Sequence, residues 1–197
     1  MRNLINKSKL IDSATNLNFI RSKYDEIDCE SRFVGILGAR GTGKSTLVLQ
    51  YLKKTYGLND HASYWSLDDI YFSNHSLIET IESYYQLGGR FLVLDEVHKY
   101  PTWARELKNA YDFYKDLRVV FTGSSVIDML NLEVDLSRRA VLYHLTGLSF
   151  REYLNFTKVT QIPIYSLNEI LSNHIVIGHF ITTNKTNDNS GQWRNKK

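Results

Sequence analysis

One segment of the sequence has the residue types and the spacing of a phosphate-binding loop. Residues 38–45 match the pattern G-x-x-x-x-G-K-[ST], and they lie between a predicted strand and a predicted helix, as the pattern requires. Glycines let backbone N–H groups turn inward around a phosphate, and the helix that follows directs the positive end of its dipole at the same anion. The segment therefore predicts a P-loop that binds a nucleoside triphosphate together with magnesium.

The side chains of this loop have separate expected roles. Lys44 is expected to reach the β- and γ-phosphates, and the Ser45 hydroxyl is expected to be a ligand of Mg²⁺. Gly41 permits an unusual backbone conformation, Thr46 adds a contact to the α-phosphate, and Arg40 is expected to point to solvent or to a neighbouring element. A chance glycine-rich turn is the alternative interpretation. The predicted nucleotide-binding set is Gly38, Ala39, Arg40, Gly41, Thr42, Gly43, Lys44, Ser45 and Thr46.

Two acidic residues directly follow the apolar run Phe91–Leu94. At the tip of a strand, Asp95 is expected to hold Mg²⁺, mostly through water, and Glu96 is expected to polarise the water that attacks the γ-phosphate. An exposed acidic turn is the alternative interpretation. Glu96 also favours hydrolysis over a P-loop kinase, because transfer to an acceptor other than water needs no activated water. Glu96 and Lys44 are therefore the first two predicted catalytic residues.

Hydroxyl-bearing residues end the fourth predicted strand. This strand lies beside the P-loop if the sheet is doubly wound with an inserted central strand. Ser124, or in second place Thr122, is then a candidate to hydrogen-bond the γ-phosphate or the attacking water. The alternative is a helix N-cap, a role that suits Ser125 best.

Basic and aromatic residues near the predicted site are further candidates. Arg138 and Arg139 precede the fifth predicted strand, where a cationic side chain can act as an arginine finger on the nucleotide of a neighbouring subunit. A finger of this kind requires a homo-oligomer, and a solvated basic turn is the alternative. His98, Lys99 and Trp103 follow the acid pair closely enough to line the edge of the site. We assign His98 no role, because no metal-ligand spacing surrounds it.

Short apolar strands alternate with amphipathic helices around these residues. The predicted strands are Phe33–Leu37, Ser63–Leu67, Phe91–Leu94, Arg118–Phe121 and Ala140–Leu145. The predicted helices are Lys44–Tyr56, Ser76–Leu87 and a third with Pro101 in its first turn that runs to about Lys115. This alternation predicts the α/β fold of a P-loop NTPase, with a central, mostly parallel five-stranded sheet, helices on both faces and ligand chemistry at the carboxyl ends of the strands.

Composition and charge exclude several classes of protein. The net charge of +3 is spread along the chain, without the basic stripe of a nucleic-acid-binding domain, so the sequence does not support a nucleic-acid partner. The apolar runs are far shorter than the roughly 20 residues that cross a bilayer, so we expect no membrane span. The single cysteine, Cys29, and an N-terminus without a signal-peptide pattern predict a cytoplasmic protein.

The motifs resemble those of the bacterial and archaeal AAA-type ATPases whose P-loop domain is followed by a C-terminal domain of unknown function. The matching pieces are Gly38–Thr46, Leu94–Lys99, Trp103 with Leu107-Lys108, Thr122–Ser125 and Leu145–Leu154, which together cover roughly residues 30–155. The resemblance implies ATP as the nucleotide, a five-stranded parallel core with the P-loop strand in the middle, and Ser124 as a residue that senses the bound nucleotide. The family usually shows Gly-Arg where this chain has Arg138-Arg139, so the finger position falls on Arg139.

The resemblance also implies a division of the chain. We expect an N-terminal helical segment over residues 1–30, an ATPase core over 31–155, the start of a C-terminal region over 156–181 and a polar, disordered tail over 182–197. Because the family continues well beyond this length, the sequence resembles a truncated gene product.

The predicted function is Mg²⁺-dependent ATP binding and hydrolysis, coupled to a conformational change. Two alternatives stay open: a nucleotide-binding switch or remnant with negligible turnover, and a P-loop kinase that transfers phosphate to another acceptor.

Overall fold

The structure is a computed structural model that describes residues 1–124, 136, 138–158, 166, 168, 169 and 171. Strands and helices alternate along this part of the chain. The strands are β1 (Phe33–Leu37), β2 (Ala62–Ser66), β3 (Phe91–Asp95), β4 (Arg118–Gly123) and β5 (Val141–His144). The α-helices are α1 (Arg2–Ala14), α2 (Lys44–Thr55), α3 (Leu77–Gln86), α4 (Trp103–Phe113) and α5 (Phe150–Phe156). Short 3₁₀ turns cover Ser22–Glu26, Ile70–Ser73 and Val97–Lys99.

The strands form one parallel sheet in the order β2-β3-β4-β1-β5. The predicted α/β fold with a five-stranded parallel sheet is confirmed, and β4 is the inserted strand between β3 and β1. The expectation that the P-loop strand occupies the middle is wrong, because in the described part of the chain three strands lie on one side of β1 and β5 alone lies on the other. The central strand is β4.

Both faces of the sheet are covered, which explains why its inner strands are mostly apolar. In β1 the side chains alternate between two cores. Phe33 and Leu37 pack with side chains of α3 and α4, whereas Val34 and Ile36 pack with side chains of α2. The five residues of β1 and the five of β3 are all buried. Helices packed on both faces therefore hold β1 and β3 in place, and with them the points at which the loops after these strands begin.

Helix α1 covers the edge of the sheet at β2. The hydroxyl of Ser8 accepts a hydrogen bond of 2.8 Å from the backbone N–H of Tyr64, and both groups are buried. An edge strand presents unpaired backbone groups that can pair with other chains, so this contact satisfies one of them and shields that edge. The predicted N-terminal helical segment thus contains a helix that closes one side of the sheet.

Most element boundaries differ from the sequence prediction by one or two residues, as at β2 and α4. Strand β2 begins at Ala62 and ends at Ser66, so each end lies one residue before the predicted bounds of Ser63 and Leu67. Helix α4 begins at Trp103 after the N-cap Thr102, so Pro101 lies before the helix and not in its first turn. The reason is that the first α-helical hydrogen bond runs from the N–H of Glu106 to the carbonyl of Thr102.

The chain divides into two compact units after Leu148. In the second unit, α5 begins with a capping box, in which Ser149 and Glu152 exchange side-chain and backbone hydrogen bonds. The predicted domain boundaries stay predictions. Among the described residues no helix is both long enough and apolar enough to cross a membrane.

Candidate functional site

The residues of the predicted P-loop, the acid pair and Ser124 meet at the carboxyl edge of the sheet. Leu37 of β1 is level with Gly123 of β4, and Leu94 of β3 is level with Phe121 of the same strand. The P-loop, the acid pair and Ser124 leave these strands next. Parallel strands end at one common edge, so three segments that are far apart in the sequence converge there.

Two glycines shape the backbone of the P-loop. A Cβ atom on Gly38 would lie 2.2 Å from the carbonyl oxygen of Leu145, so only glycine fits where the loop leaves β1. Gly43 is the N-cap of α2 with φ +89°, a left-handed conformation that glycine adopts without strain. Gly43 offers no side-chain hydrogen bond to the first turn of α2. The amides at this helix end can therefore bind an anionic ligand.

Lys44 folds back over the loop that precedes it. Its ammonium donates hydrogen bonds of 2.8 Å to the carbonyl of Gly38 and 2.9 Å to the carbonyl of Ala39. Burial lowers the pKa of Lys44, and the negative charges of Glu96 and Asp95 act in the opposite direction. An ammonium has three N–H donors, so this arrangement fixes its position and leaves a third donor for an oxyanion.

The remaining loop residues differ in exposure. Ser45 is half-buried in the first turn of α2, whereas Arg40 and Thr46 are exposed. The solvent orientation expected for Arg40 agrees with that exposure. Thr42 closes the loop on itself, because its hydroxyl donates a 2.9 Å hydrogen bond to the carbonyl of Ala39.

Asp95 is held by two neighbouring strands. Its side chain is 4% exposed, one carboxylate oxygen accepts a hydrogen bond of 2.6 Å from the hydroxyl of Tyr64, and the other accepts from the hydroxyl of Thr122. The same Thr122 oxygen accepts a 3.1 Å hydrogen bond from the backbone N–H of Glu96. Burial, and next the charge of Asp95, raise the pKa of Tyr64, which keeps this hydroxyl a donor at neutral pH.

Sequence reasoning missed the roles of Tyr64 and Thr122. Thr122 was a second-place candidate to contact the γ-phosphate or the attacking water, but its buried hydroxyl is used by the acid pair instead. Tyr64 carried no signal in the sequence beyond its place in a predicted strand. The register that pairs Tyr64 with Val93 and brings its hydroxyl to Asp95 is visible only in the folded sheet.

Glu96 has an unusual backbone conformation and a histidine neighbour. Its φ of 57° and ψ of 42° are left-handed, which is uncommon for a residue with a side chain. Its carboxylate lies 3.6 Å from Nε2 of His98. The other ring nitrogen, Nδ1, is buried without a hydrogen-bond partner among the described residues. His98 therefore lies at the edge of the site, in contact with the predicted base.

Trp103, which is near the acid pair in sequence, lies elsewhere in the fold. Trp103 is only 2% exposed, and its ring centroid lies 5.5 Å from that of Phe121, so the expectation that it lines the site is wrong. Helix α4 turns this residue into the core. Lys99 lies 3.9 Å from a carboxylate oxygen of Asp68.

The predicted finger residue lies at the opposite, amino edge of the sheet. Arg139 precedes β5, and its guanidinium forms contacts of 3.2 and 3.3 Å with the carboxylate of Asp112. Arg138 has φ +67°, a conformation that favours glycine. This agrees with the glycine expected there from the family resemblance. Ser124 is half-buried directly after β4, and Ser125 lies outside the described residues.

The donor set fits a hydrated magnesium ion. The described residues contain no cluster of three or more His, Cys, Asp or Glu side chains that could hold a metal. Mg²⁺ usually keeps several waters and binds one or two protein groups together with substrate phosphates. A hydroxyl at Ser45 and a carboxylate at Asp95, each beside the predicted phosphate loop, match that requirement.

The fold and the loop define the class of the protein: it has a parallel sheet with a glycine-rich loop between its first strand and an uncapped helix, which is the architecture of a P-loop NTPase. A family model described as an AAA domain matches residues 30–154. This match covers more than half of the chain, so the chain belongs to the AAA domain family of nucleotide-binding ATPases.

One curated relative is an uncharacterized protein of Methanocaldococcus jannaschii. It is 31% identical over 163 residues, which are 78% of this chain and 34% of the relative. The chain thus spans about a third of the length of this relative.

Proposed function

We propose that this chain binds ATP with Mg²⁺ and hydrolyses it to ADP and phosphate, and that the cycle drives a conformational change. The observation that carries the proposal is the shared hydrogen bonding of the acid pair. The hydroxyl of Thr122 donates to Asp95 and accepts from the N–H of Glu96, on the strand next to the P-loop strand. The carboxylate of Asp95 and the backbone of Glu96 are thereby held at one hydroxyl, which suits two different roles for the two acids.

Each group would act on a defined part of the substrate. Lys44 and the first-turn amides of α2 would bind the phosphate oxygens, and Ser45 and Asp95 would hold Mg²⁺. Mg²⁺, when bound, supplies positive charge that offsets the charge of the phosphates. Glu96 would accept a proton from water as the water oxygen attacks the γ-phosphorus and the bond to the β-phosphate oxygen breaks.

Lys44→Ala is the first test of this proposal. We expect ATP binding and phosphate release to fall below detection, because the variant loses the cation of the loop. The matched control is Arg90→Ala, since Arg90 is also a cation that donates to two backbone carbonyls, those of Tyr85 and Gly89, at the amino edge of the sheet. Phosphate release by Lys44→Ala at the wild-type rate would contradict the proposal.

Ser124 and Arg139 are proposed to act on the transferring phosphate in the same step. Ser124 would contact the γ-phosphate or the attacking water, and Arg139 would serve as a finger for a neighbouring copy in a homo-oligomer. To contact that nucleotide, the guanidinium of Arg139 would have to break its hydrogen bond with the carboxylate of Asp112. Phosphate release per molecule should then rise with protein concentration in the wild type and stay flat in Arg139→Ala. A flat wild-type curve would contradict the finger.

A second candidate function is a nucleotide-binding switch with negligible turnover. One contact favours it: the carboxylate of Glu96 lies 3.6 Å from Nε2 of His98, where it can be held away from an attacking water. His98→Ala should then increase phosphate release at least several-fold. Unchanged or reduced release in that variant would exclude restraint by His98.

A further inference from the structure

A buried arginine outside the family-matched residues contacts the P-loop. The guanidinium of Arg21 donates a hydrogen bond of 2.7 Å to the carbonyl of Thr42. Its other terminal nitrogen donates to the carbonyls of Thr146, at 3.1 Å, and Gly147, at 3.0 Å. Arg21 is 8% exposed, and the family match begins at residue 30. One side chain therefore joins the N-terminal segment, the P-loop and the segment after β5.

The N-terminal segment reaches the loop by running along α2 in the opposite direction. Near the carboxyl end of α2, Lys53 donates to the carbonyls of Ser13 and Thr15. One turn earlier in the helix, Gln50 donates to the carbonyls of Asn16 and Phe19, at 2.9 and 2.7 Å. Arg21 makes the next contact, just before the helix begins. These contacts hold the segment at successive turns of α2 and place the guanidinium of Arg21 beside the P-loop.

The bond to Thr42 sets the direction of a specific amide. The carbonyl of Thr42 and the N–H of Gly43 belong to the same peptide unit, and in a trans peptide these two groups point in opposite directions. A cation that binds the carbonyl from outside the loop therefore turns the N–H of Gly43 toward the inside. Backbone N–H groups on the inside of a P-loop are the ones that bind phosphate.

The loop is held to the segment after β5 at a second point. The backbone of Gly38 lies against the carbonyl of Leu145, and the N–H of Leu145 donates a 2.7 Å hydrogen bond to the carbonyl of Leu37. Arg21 links the other end of the loop to the two residues that follow Leu145. Both ends of the P-loop are therefore tied to the same short segment.

We propose that Arg21 is a positioning residue of the nucleotide site, which holds the N–H of Gly43 toward the phosphates and ties the P-loop to residues 145–147. This inference rests on the proposed function. The planar guanidinium is suited to the task, because its N–H donors are fixed in a fork that can reach carbonyls in two directions. The N-terminal segment is then a part of the nucleotide site, although the family match does not include it.

The test compares arginines that bond to backbone carbonyls in the same way but at different places. Arg21→Gln and Arg21→Lys alter the contact with the loop. Arg32→Gln is the matched control: Arg32 donates to the carbonyls of Tyr111 and Tyr114 at the amino edge of the sheet. The affinities of the full chain for ATP and ADP, and the KM and kcat for phosphate release, are measured well below the melting temperature of each variant.

We expect Arg21→Gln to weaken the binding of ATP and of ADP by about tenfold, the loss of one charge-assisted hydrogen bond. KM should rise to a similar extent while kcat stays within about twofold, because Asp95 and Glu96 are untouched. Arg21→Lys should also bind more weakly than the wild type, since an ammonium is a point charge without the fork. Arg32→Gln should bind with wild-type affinity.

Wild-type affinity in a folded Arg21→Gln would overturn the inference and leave the proposed function intact. If Arg21→Gln does not fold, Arg21→Lys decides the matter by the same criterion. Equal losses of affinity in Arg21→Gln and Arg32→Gln would also overturn it, because the effect would then be a general loss of stability. If the wild type binds neither ATP nor ADP, the proposed function fails first and the inference fails with it.

Discussion

Two sets of charged side chains, one at each edge of the sheet, are held in different ways. At the amino edge, opposite charges meet directly: Arg118 pairs with Glu30, and Arg139 pairs with Asp112. At the carboxyl edge, Lys44 donates to backbone carbonyls and Asp95 accepts from hydroxyls. In the part of the chain that the structure describes, no ion pair joins Lys44 to either acid of the acid pair.

The difference separates charges that stabilise the fold from charges that can serve a ligand. A side chain that is already in an ion pair must give up its partner before it binds a substrate. A buried charge that is held only by uncharged donors and acceptors is not neutralised by a partner, so it still interacts strongly with a ligand that binds beside it. Preorganised groups of this kind are the main source of electrostatic catalysis. Lys44 and Asp95 therefore have the character of binding-site residues, and the pair of Arg118 and Glu30 has that of a structural contact.

Among variants that remove a supporting hydrogen bond of the acid pair, the largest expected effect comes from Thr122→Val. The variant leaves Asp95 and the N–H of Glu96 without their shared hydroxyl, at a position with 0% exposure. We expect phosphate release to fall about 10- to 100-fold, the usual range for a residue that orients a metal ligand. The free energy of unfolding should fall by about 1–3 kcal/mol. Enzyme assays and urea denaturation measure the two effects.

The control for this variant is Thr122→Ser, which keeps the hydroxyl. Its phosphate release should stay close to that of the wild type. If Thr122→Val also retained wild-type release, the shared hydrogen bond would have no part in the site.

A pair of tyrosines compares the two edges directly. The hydroxyl of Tyr64 donates to Asp95, whereas the buried hydroxyl of Tyr84 donates at 3.0 Å to the carbonyl of Phe91, the first residue of β3. Tyr64→Phe and Tyr84→Phe should each lower the free energy of unfolding by about 1 kcal/mol. Only Tyr64→Phe should raise the Mg²⁺ concentration needed for half-maximal phosphate release. A similar rise in both variants would remove the distinction between the edges.

The smallest effect is expected at Arg138. Its left-handed conformation, φ +67°, strains a residue with a Cβ atom but not a glycine. Arg138→Gly should raise the free energy of unfolding by about 0.5–1 kcal/mol, because relief of the left-handed strain outweighs the stability lost to the greater freedom of glycine in the unfolded chain. Phosphate release at one protein concentration should not change. Thermal denaturation measures the first effect, and a destabilised variant would contradict it.

The sequence predicts the parts of this fold that depend on local pattern. Strand β1 has the predicted bounds, because a buried strand in a parallel sheet is a short apolar run ended by glycine. The convergence of the P-loop, Asp95 and Ser124 follows from one rule about parallel strands. The position of β1 in the sheet was predicted wrongly, since strand order depends on crossovers that have no local signature.

Contacts between distant segments could not be predicted in the same way. Tyr64, Thr122 and Arg21 are ordinary members of a strand, a strand end and a polar segment until the sheet register and the path of the N-terminal segment are known. Trp103 shows the opposite error. It is close to the acid pair in sequence, but the start of α4 turns it into the core.

Glu96 is proposed to activate the attacking water and not to be needed for the binding of ATP. The most direct test measures ATP binding and single-turnover phosphate release in the same samples of wild type and Glu96→Gln. We predict that Glu96→Gln binds ATP within about threefold of the wild-type affinity and releases phosphate at least about 100-fold more slowly. Phosphate release by Glu96→Gln at the wild-type rate would contradict the account.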